Sequence, residues 1–170
     1  MEILKYGNEI LQQKSLAVPS PDPSVQDMIF RMKECLARTP GGIGLAAPQV
    51  GILKQIFILD LSLLEEFGEE DKYTVINPRI VESRGSSKDV EGCLSFPNIT
   101  TVISRPDTVK LSFRNEHWEE QTLVVKGYAA RAFQHEIDHL NGILIIDRVS
   151  SIKRQLIKKE INKLKAHDQW

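Results

Sequence analysis

One stretch of nine residues, Gln134-His135-Glu136-Ile137-Asp138-His139-Leu140-Asn141-Gly142, constrains this chain more than any other. Two histidines four positions apart, with a glutamate directly after the first, make chemical sense together only on an α-helix. There the side chains at i and i+4 share a face, with Cβ atoms about 5–6 Å apart, so both imidazoles can reach one metal ion. Glu136 lies about 100° round the helix from His135, too offset to be a ligand but near enough to meet a water activated by that ion. The implied chemistry is metal-assisted hydrolysis. Tyr128-Ala129-Ala130-Arg131-Ala132-Phe133 ahead of the motif is rich in helix formers, and Asn141-Gly142 behind it is a C-terminal stop, so the pattern predicts a helix carrying the site.

A chain of 170 residues, 41% of them hydrophobic, can bury one core, and a single domain over residues 1–170 is expected. With 22 basic and 23 acidic residues the charges nearly balance. That excludes a surface built throughout for DNA or anionic lipid, and leaves room only for local contacts of that kind. The longest apolar runs, such as Ile56-Phe57-Ile58-Leu59, are too short to span a bilayer. Met1-Glu2-Ile3-Leu4-Lys5-Tyr6-Gly7 has the character of neither a signal nor a transit peptide, so a cytoplasmic location is expected. In that reducing compartment Cys35 and Cys93 are expected to stay unpaired.

Along the chain, Gly7, Pro19, Pro21 and Pro23 break the first segment into a strand-like start and irregular chain that wraps a core formed later. Ser24-Val25-Gln26-Asp27 resembles a capping box, and Val25, Met28, Ile29, Met32, Cys35 and Leu36 follow at helical spacing to about Ala37. Cys35 on that stripe reads as a buried structural thiol. The glycine-rich run from Pro40 to Gly51 lacks the spacing of a nucleotide loop; its small residues suit close approach of another backbone, and Gln49 stands out as polar among apolar neighbours. Strands are predicted at Gln55–Leu61 and Tyr73–Asn77, with Ile80–Ser83 extending the second, and a hairpin joins the alternating Val109, Leu111 and Phe113 to Gln121–Val125. His117 in its turn reads as a surface residue. A last helix is predicted from Ser151 to Ala166, with Ile152, Leu156, Ile157, Ile161 and Leu164 as its apolar stripe and Lys153, Arg154, Lys158, Lys159, Lys163 and Lys165 opposite. Such a basic face is solvated or meets RNA or another acidic partner.

Catalytic metal sites commonly use three protein ligands and keep a position for water, so a third is required. The extension H-E-x-x-H-x-x-G-x-x-H fits as far as Gly142 and fails at Ile145. Downstream, Glu160 is the nearest glutamate, but it sits in the basic helix where Lys163 accounts for it. Upstream, Glu91-Gly92-Cys93-Leu94-Ser95 offers Cys93, whose small and polar neighbours suit a ligand and a small core residue equally well.

Three segments together carry a resemblance: Gly42-Ile43-Gly44-Leu45-Ala46-Ala47-Pro48-Gln49, Glu91-Gly92-Cys93-Leu94-Ser95 and Gln134-His135-Glu136-Ile137-Asp138-His139-Leu140. In order and separation they resemble the three signature motifs of the peptide deformylases, and the likeness extends to Ile3-Leu4-Lys5-Tyr6-Gly7 and to the long C-terminal helix. The resemblance implies an α+β fold of short mixed, mainly antiparallel sheets around the motif helix. It implies removal of the N-formyl group from the formyl-methionine of nascent peptides, with release of formate. It further implies that Cys93, His135 and His139 bind a metal, that Glu136 is the general acid and base, and that Gln49 with the Leu94 backbone N–H stabilises the oxyanion. The ion implied is Fe²⁺, with Zn²⁺, Ni²⁺ or Co²⁺ able to replace it in a purified sample. Asn98 departs from the family, where many members have glycine, and puts the path of that loop in question.

Other readings remain at this stage. An HExxH zinc endopeptidase would recruit Glu160 in place of Cys93, and an RNA- or ribosome-binding protein would act through the basic helix with a structural metal. Two further expectations concern the site. Glu91 and Arg105 should form a partly buried pair that steadies the ligand loop. Ile43, Tyr128 and Ala132 should line an apolar pocket for the first side chain of the substrate, with Gly44 lying against its backbone.

Overall fold

The alternation at Val109, Leu111 and Phe113 is that of a strand with one face in the core, and the same rule organises most of the protein. The computed structural model describes residues 1–167 and 170. Helix α1 (Pro23–Ala37) precedes β1 (Gly44–Ala46), β2 (Ile56–Asp60), β3 (Lys72–Arg84), β4 (Ser87–Cys93), β5 (Phe96–Arg105), β6 (Thr108–Arg114), β7 (Glu120–Lys126), α2 (Gly127–Leu140) and α3 (Ser151–Ala166). A five-stranded sheet has the order β1-β2-β3-β6-β7, and β4 and β5 form a separate hairpin. All of these pairings are antiparallel; a parallel bridge joins Leu16 to Lys54 outside the strands.

The large sheet is covered on both faces. Phe57, Leu59, Val75 and Phe113 pack with Ala130 and Phe133 of α2, while Ile56, Ile58 and Ile76 pack with Val25, Met28 and Met32 of α1. Two-sided burial explains why β2 reads as an unbroken apolar run. Phe133 meets Phe57 and Tyr73 edge-on at centroid distances of 5.8 and 5.1 Å, which fixes α2 over the sheet. A third cluster joins Phe96 and Ile103 of β5 to Ile145, Ile157 and Ile161, and so seats the hairpin on α3.

Several local expectations are corrected. The N-cap of α1 is Asp22, whose carboxylate accepts from Ser24 N–H at 2.7 Å, with Pro23 in the first turn; Ser24 is inside the helix and no capping box forms there. Cys35 is half-buried rather than enclosed, its Sγ 3.5 Å from the Met1 carbonyl. The N-terminal segment forms no strand; a 3-10 turn at Glu9–Gln12 is its regular element. On α3, Ile157 and Ile161 are buried, but Ile152 and Leu156 are 73% and 59% exposed. They sit about 100–140° round the helix from Ile157, outside the seam that packs. Arg154 leaves the solvated basic face by donating to the Ile146 carbonyl at 2.8 Å and pairing with Asp147 at 3.3 Å. Asn98 takes a φ of 60°, the left-handed region that glycine favours, so the loop keeps that conformation without a glycine.

Candidate metal centre

The site forms where the end of β4 meets the inner face of α2. His135 and His139 project from one side of α2 with ring centroids 5.1 Å apart. Cys93 is the last residue of β4, before the turn at Leu94 and Ser95, and its Sγ lies 3.2 Å from His139 Nε2. The ligand atoms of Cys93, His135 and His139 all lie within 4.8 Å of one another. After Leu140 the chain must turn sharply: Gly142 has φ 70°, and a Cβ there would come within 2.5 Å of the Gln12 carbonyl oxygen.

This donor set fits a divalent ion. One sulfur and two ring nitrogens are the mixture that zinc or ferrous iron takes up. His135 Nδ1 is 3.0 Å from Glu91 Oε2, which orients the ring and leaves Nε2 for a metal. Burial opposes charge on the Cys93 thiol, yet His139 and His135 outweigh it and hold the thiol well below its ordinary value, toward the thiolate a metal needs. Among the described residues, Glu136 Oε2 is buried without a protein hydrogen-bond partner, as befits an atom beside a non-protein ligand.

The two carboxylates next to the centre differ. Glu91 is buried, but hydrogen bonds from His135 and Arg105 overcome the cost of burial and hold its carboxyl well below the usual carboxylate range. Arg105 donates to both its oxygens, Nε to Oε1 at 2.6 Å and a terminal nitrogen to Oε2 at 2.9 Å, and Arg131 adds a third bond at 2.6 Å. Arg105 also reaches Asp138 at 2.8 Å, and Asp138 pairs with Arg148. The expected Glu91–Arg105 pair is therefore present, fully buried, and part of a larger network. Glu136 has no such partners, and burial, only partly offset by His135 and His139, pushes its carboxyl up to about 7. Gly44 of β1 lies directly on this carboxylate; a Cβ there would overlap Glu136 Oε1.

A cavity of about 440 Å³ opens over these groups, lined by Ile43, Gly44, Gln49, Leu94, Tyr128 and Ala132 among others. Every residue expected to touch a substrate thus borders one space, with Ala132 buried and Tyr128, 39% exposed, at the mouth. Gln49 is 1% exposed. Its Oε1 accepts from Ala46 N–H at 2.9 Å, which turns Nε2 toward Ser95 Oγ at 3.2 Å and Cys93 Sγ at 3.7 Å. A larger cavity of about 790 Å³, between α1 and the β2-β3-β6-β7 face, contains none of Cys93, His135, His139 and Glu136. Glu160 stands apart on α3, 3.7 Å from Lys163, so the endopeptidase ligand set is not assembled. Arg131, Asp138 and Arg148 were not singled out by the sequence reading; the available signal was an arginine inside the Ala130–Ala132 stretch of an apolar helix face.

A helix-borne pair of histidines with a buried carboxyl beside it, completed by a cysteine from a neighbouring hairpin, defines a metal-dependent hydrolase. The sequence pattern of the family described as polypeptide deformylase matches residues 1–155. Peptide deformylase from Chlorobium phaeobacteroides is 40% identical over 159 residues, covering 94% of this chain and 84% of that protein. The one from Thermodesulfovibrio yellowstonii is 40% identical over 160 residues, covering 94% and 95%. The crystal structure of peptide deformylase from Ehrlichia chaffeensis superposes with a TM-score of 0.89 at 30% identity, covering 100% of this chain and 99% of that one. The chain belongs to the peptide deformylase family, the metal-dependent hydrolases that remove the N-formyl group from nascent peptides.

Proposed function

We propose that Cys93, His135 and His139 hold one divalent ion and that Glu136, Gln49 and Leu94 carry out deformylation beside it, within a single catalytic domain. The observation that carries this reading is the convergence of one sulfur and two ring nitrogens within 4.8 Å, with the buried Glu136 carboxyl in the same cavity. An ion held there supplies the Lewis acidity that makes water a nucleophile near neutral pH. Glu136, whose carboxyl burial pushes up, would take the proton of the attacking water and deliver it to the leaving amine. Gln49 Nε2 and the Leu94 backbone N–H bind the formyl oxygen as charge builds on it. Ile43, Tyr128 and Ala132 bury the methionine side chain, and the bare backbone at Gly44 pairs with that of the substrate.

The ion we assign is Fe²⁺, as the family resemblance implies; Zn²⁺, Ni²⁺ and Co²⁺ suit the same donors, and the affinity order places zinc above ferrous iron. Formate release from formyl-Met-Ala-Ser, with metal analysis of protein purified without oxygen, tests the reading. Activity should vanish with chelator, and Cys93→Ser should lose the ion where Cys35→Ser keeps it. Equal metal content in wild type and Cys93→Ser would overturn the ligand set.

Among the described residues no helix is long and apolar enough to cross a membrane. We place the enzyme in the cytoplasm, where formylated chains emerge, with the exposed Lys158, Lys159, Lys163 and Lys165 of α3 as the contact to the ribosome. Cosedimentation with ribosomes that is lost at high salt supports that contact, and absence of binding at low salt refutes it.

A further inference from the structure

Residues 4–6 lie far in sequence from every motif, yet they bond to two of them. Leu4 N–H donates to the Gln49 carbonyl at 2.8 Å, and Tyr6 N–H donates to the Ser95 carbonyl at 2.9 Å. Between them Lys5 is half-buried and extends its Nζ to the Leu94 carbonyl at 2.8 Å, from the rim of the substrate cavity. Just beyond, the Tyr6 ring stacks on Phe96 with centroids 4.9 Å apart.

The Leu94 carbonyl belongs to the peptide between Leu94 and Ser95, the middle peptide of the turn that joins Cys93 to Phe96. In a turn of this kind the middle peptide is the one whose plane flips between turn types, carrying the following residue's φ with it. Its carbonyl has no place in the β4-β5 ladder and accepts instead from the ammonium of Lys5, a charge-assisted bond that restrains the plane alongside the Tyr6 N–H bond to the next carbonyl. Ser95 is the residue whose φ would move, and Ser95 Oγ accepts from Gln49 Nε2 at 3.2 Å. A charged donor to one carbonyl is thereby coupled, through one serine, to the amide that faces Cys93.

We propose that Lys5 is a positioning residue for deformylation, holding the Leu94–Ser95 peptide so that Ser95 keeps the Gln49 carboxamide aimed at the formyl oxygen. This rests on the oxyanion role assigned above to Gln49. Lys5 itself touches neither the metal ligands nor the reacting atoms, and it acts through the turn.

The experiment compares Lys5→Met, Lys5→Arg, Ser95→Ala, Gln49→Leu and the Lys5→Met/Gln49→Leu double variant, each as the full chain loaded with its metal. kcat and KM are measured on formyl-Met-Ala-Ser together with metal content and Tm. Lys5→Met should lower kcat by about tenfold, since small misplacement of a catalytic group costs up to about a hundredfold. KM should stay within about twofold and metal content unchanged, because substrate binding and ligands are untouched. Lys5→Arg, which still donates, should restore most of kcat. Ser95→Ala should reproduce the kcat loss without altering the lysine, so the route can be judged even if Lys5→Met folds poorly. In the Gln49→Leu background Lys5→Met should add little further loss, because both act on one group. If Gln49→Leu is impaired and Lys5→Met is not, or if Lys5→Met raises KM alone, the positioning role is wrong. If Gln49→Leu retains full kcat, the oxyanion assignment falls first and the route through it falls with it.

Discussion

Helices α2 and α3 are similar in length, 14 residues against 16, and opposite in what they bury. α2 encloses Arg131, Gln134, Glu136, Asp138 and His139 along with its apolar residues, whereas α3 encloses Ile157 and Ile161 and leaves its lysines and two large aliphatic side chains to solvent. A buried charge is tolerated only with partners, and on α2 Arg131 and Asp138 have them: Arg131 and Arg105 meet on Glu91, and Arg105 and Arg148 meet on Asp138. Glu136 is the exception, with one oxygen unpartnered among the described residues. The contrast teaches that α2 spends its burial on holding chemistry in place. α3 depends on its Ser150 cap and a narrow apolar seam.

The comparison is sharpened most by Glu136→Gln, which keeps the shape of the side chain and removes its proton transfer. kcat for formate release should fall by roughly 10²–10⁴, the range for loss of a general acid–base, with metal content unchanged. Wild-type kcat in this variant would mean that the unpartnered carboxyl of α2 takes no part in the reaction.

Next in size is Arg105→Met, which leaves Glu91 with Arg131 and His135 and strips Asp138 of one of its two arginines. Removing one member of a buried ion network costs about 3–5 kcal/mol, read as a lower urea midpoint with an unchanged slope. A loss under about 1 kcal/mol would show that the remaining arginines suffice and that the network is redundant.

These two regions were unequally legible. The α2 motif and its two boundaries are local patterns in which spacing encodes geometry, so His135, Glu136 and His139 are legible from the residues alone, whereas Cys93, 42 positions upstream, is open between ligand and core residue until the family resemblance implies it. The partners that make their burial tolerable come from β5, α2 and the chain after α2. That long-range arrangement leaves little trace in sequence, and of it only Glu91–Arg105 was anticipated. The bond that Lys5 makes is hidden for the same reason, its carbonyl partner lying 89 positions away. On α3 the error was of another kind. Five aliphatic residues share helical spacing, but a helix lying on a narrow surface buries a narrow seam, and Ile152 and Leu156 fall outside it. At α1, Ser24 was a reasonable cap by type, and Asp22 prevailed because Pro23 suits the first turn.

The seam itself is tested by Ile157→Ala. Ile157 packs with Phe96, Ile103 and Ile161 beneath the β4-β5 hairpin, so truncation should cost about 2–4 kcal/mol through lost contacts and the cavity left behind. Since that hairpin carries Cys93, metal retention on dilution should weaken as well. A cost below about 0.5 kcal/mol would mean that α3 does not hold the hairpin.

The smallest effect belongs to its neighbour. Leu156 is one residue earlier and about 100° further round the helix, with 59% of its surface exposed. Leu156→Lys removes an aliphatic side chain that is already mostly in water and substitutes one with similar helix propensity, so no large transfer or backbone term remains. Stability should change by no more than about 0.5 kcal/mol, as for surface positions in general, and kcat should be unchanged. Ile157→Ala and Leu156→Lys thus place two adjacent aliphatic residues at opposite ends of the stability scale. Similar losses in both would mean that Leu156 is covered in solution by a second copy of the chain. Measuring the wild-type midpoint at two protein concentrations tests for such a cover, because an intermolecular one makes that midpoint depend on concentration.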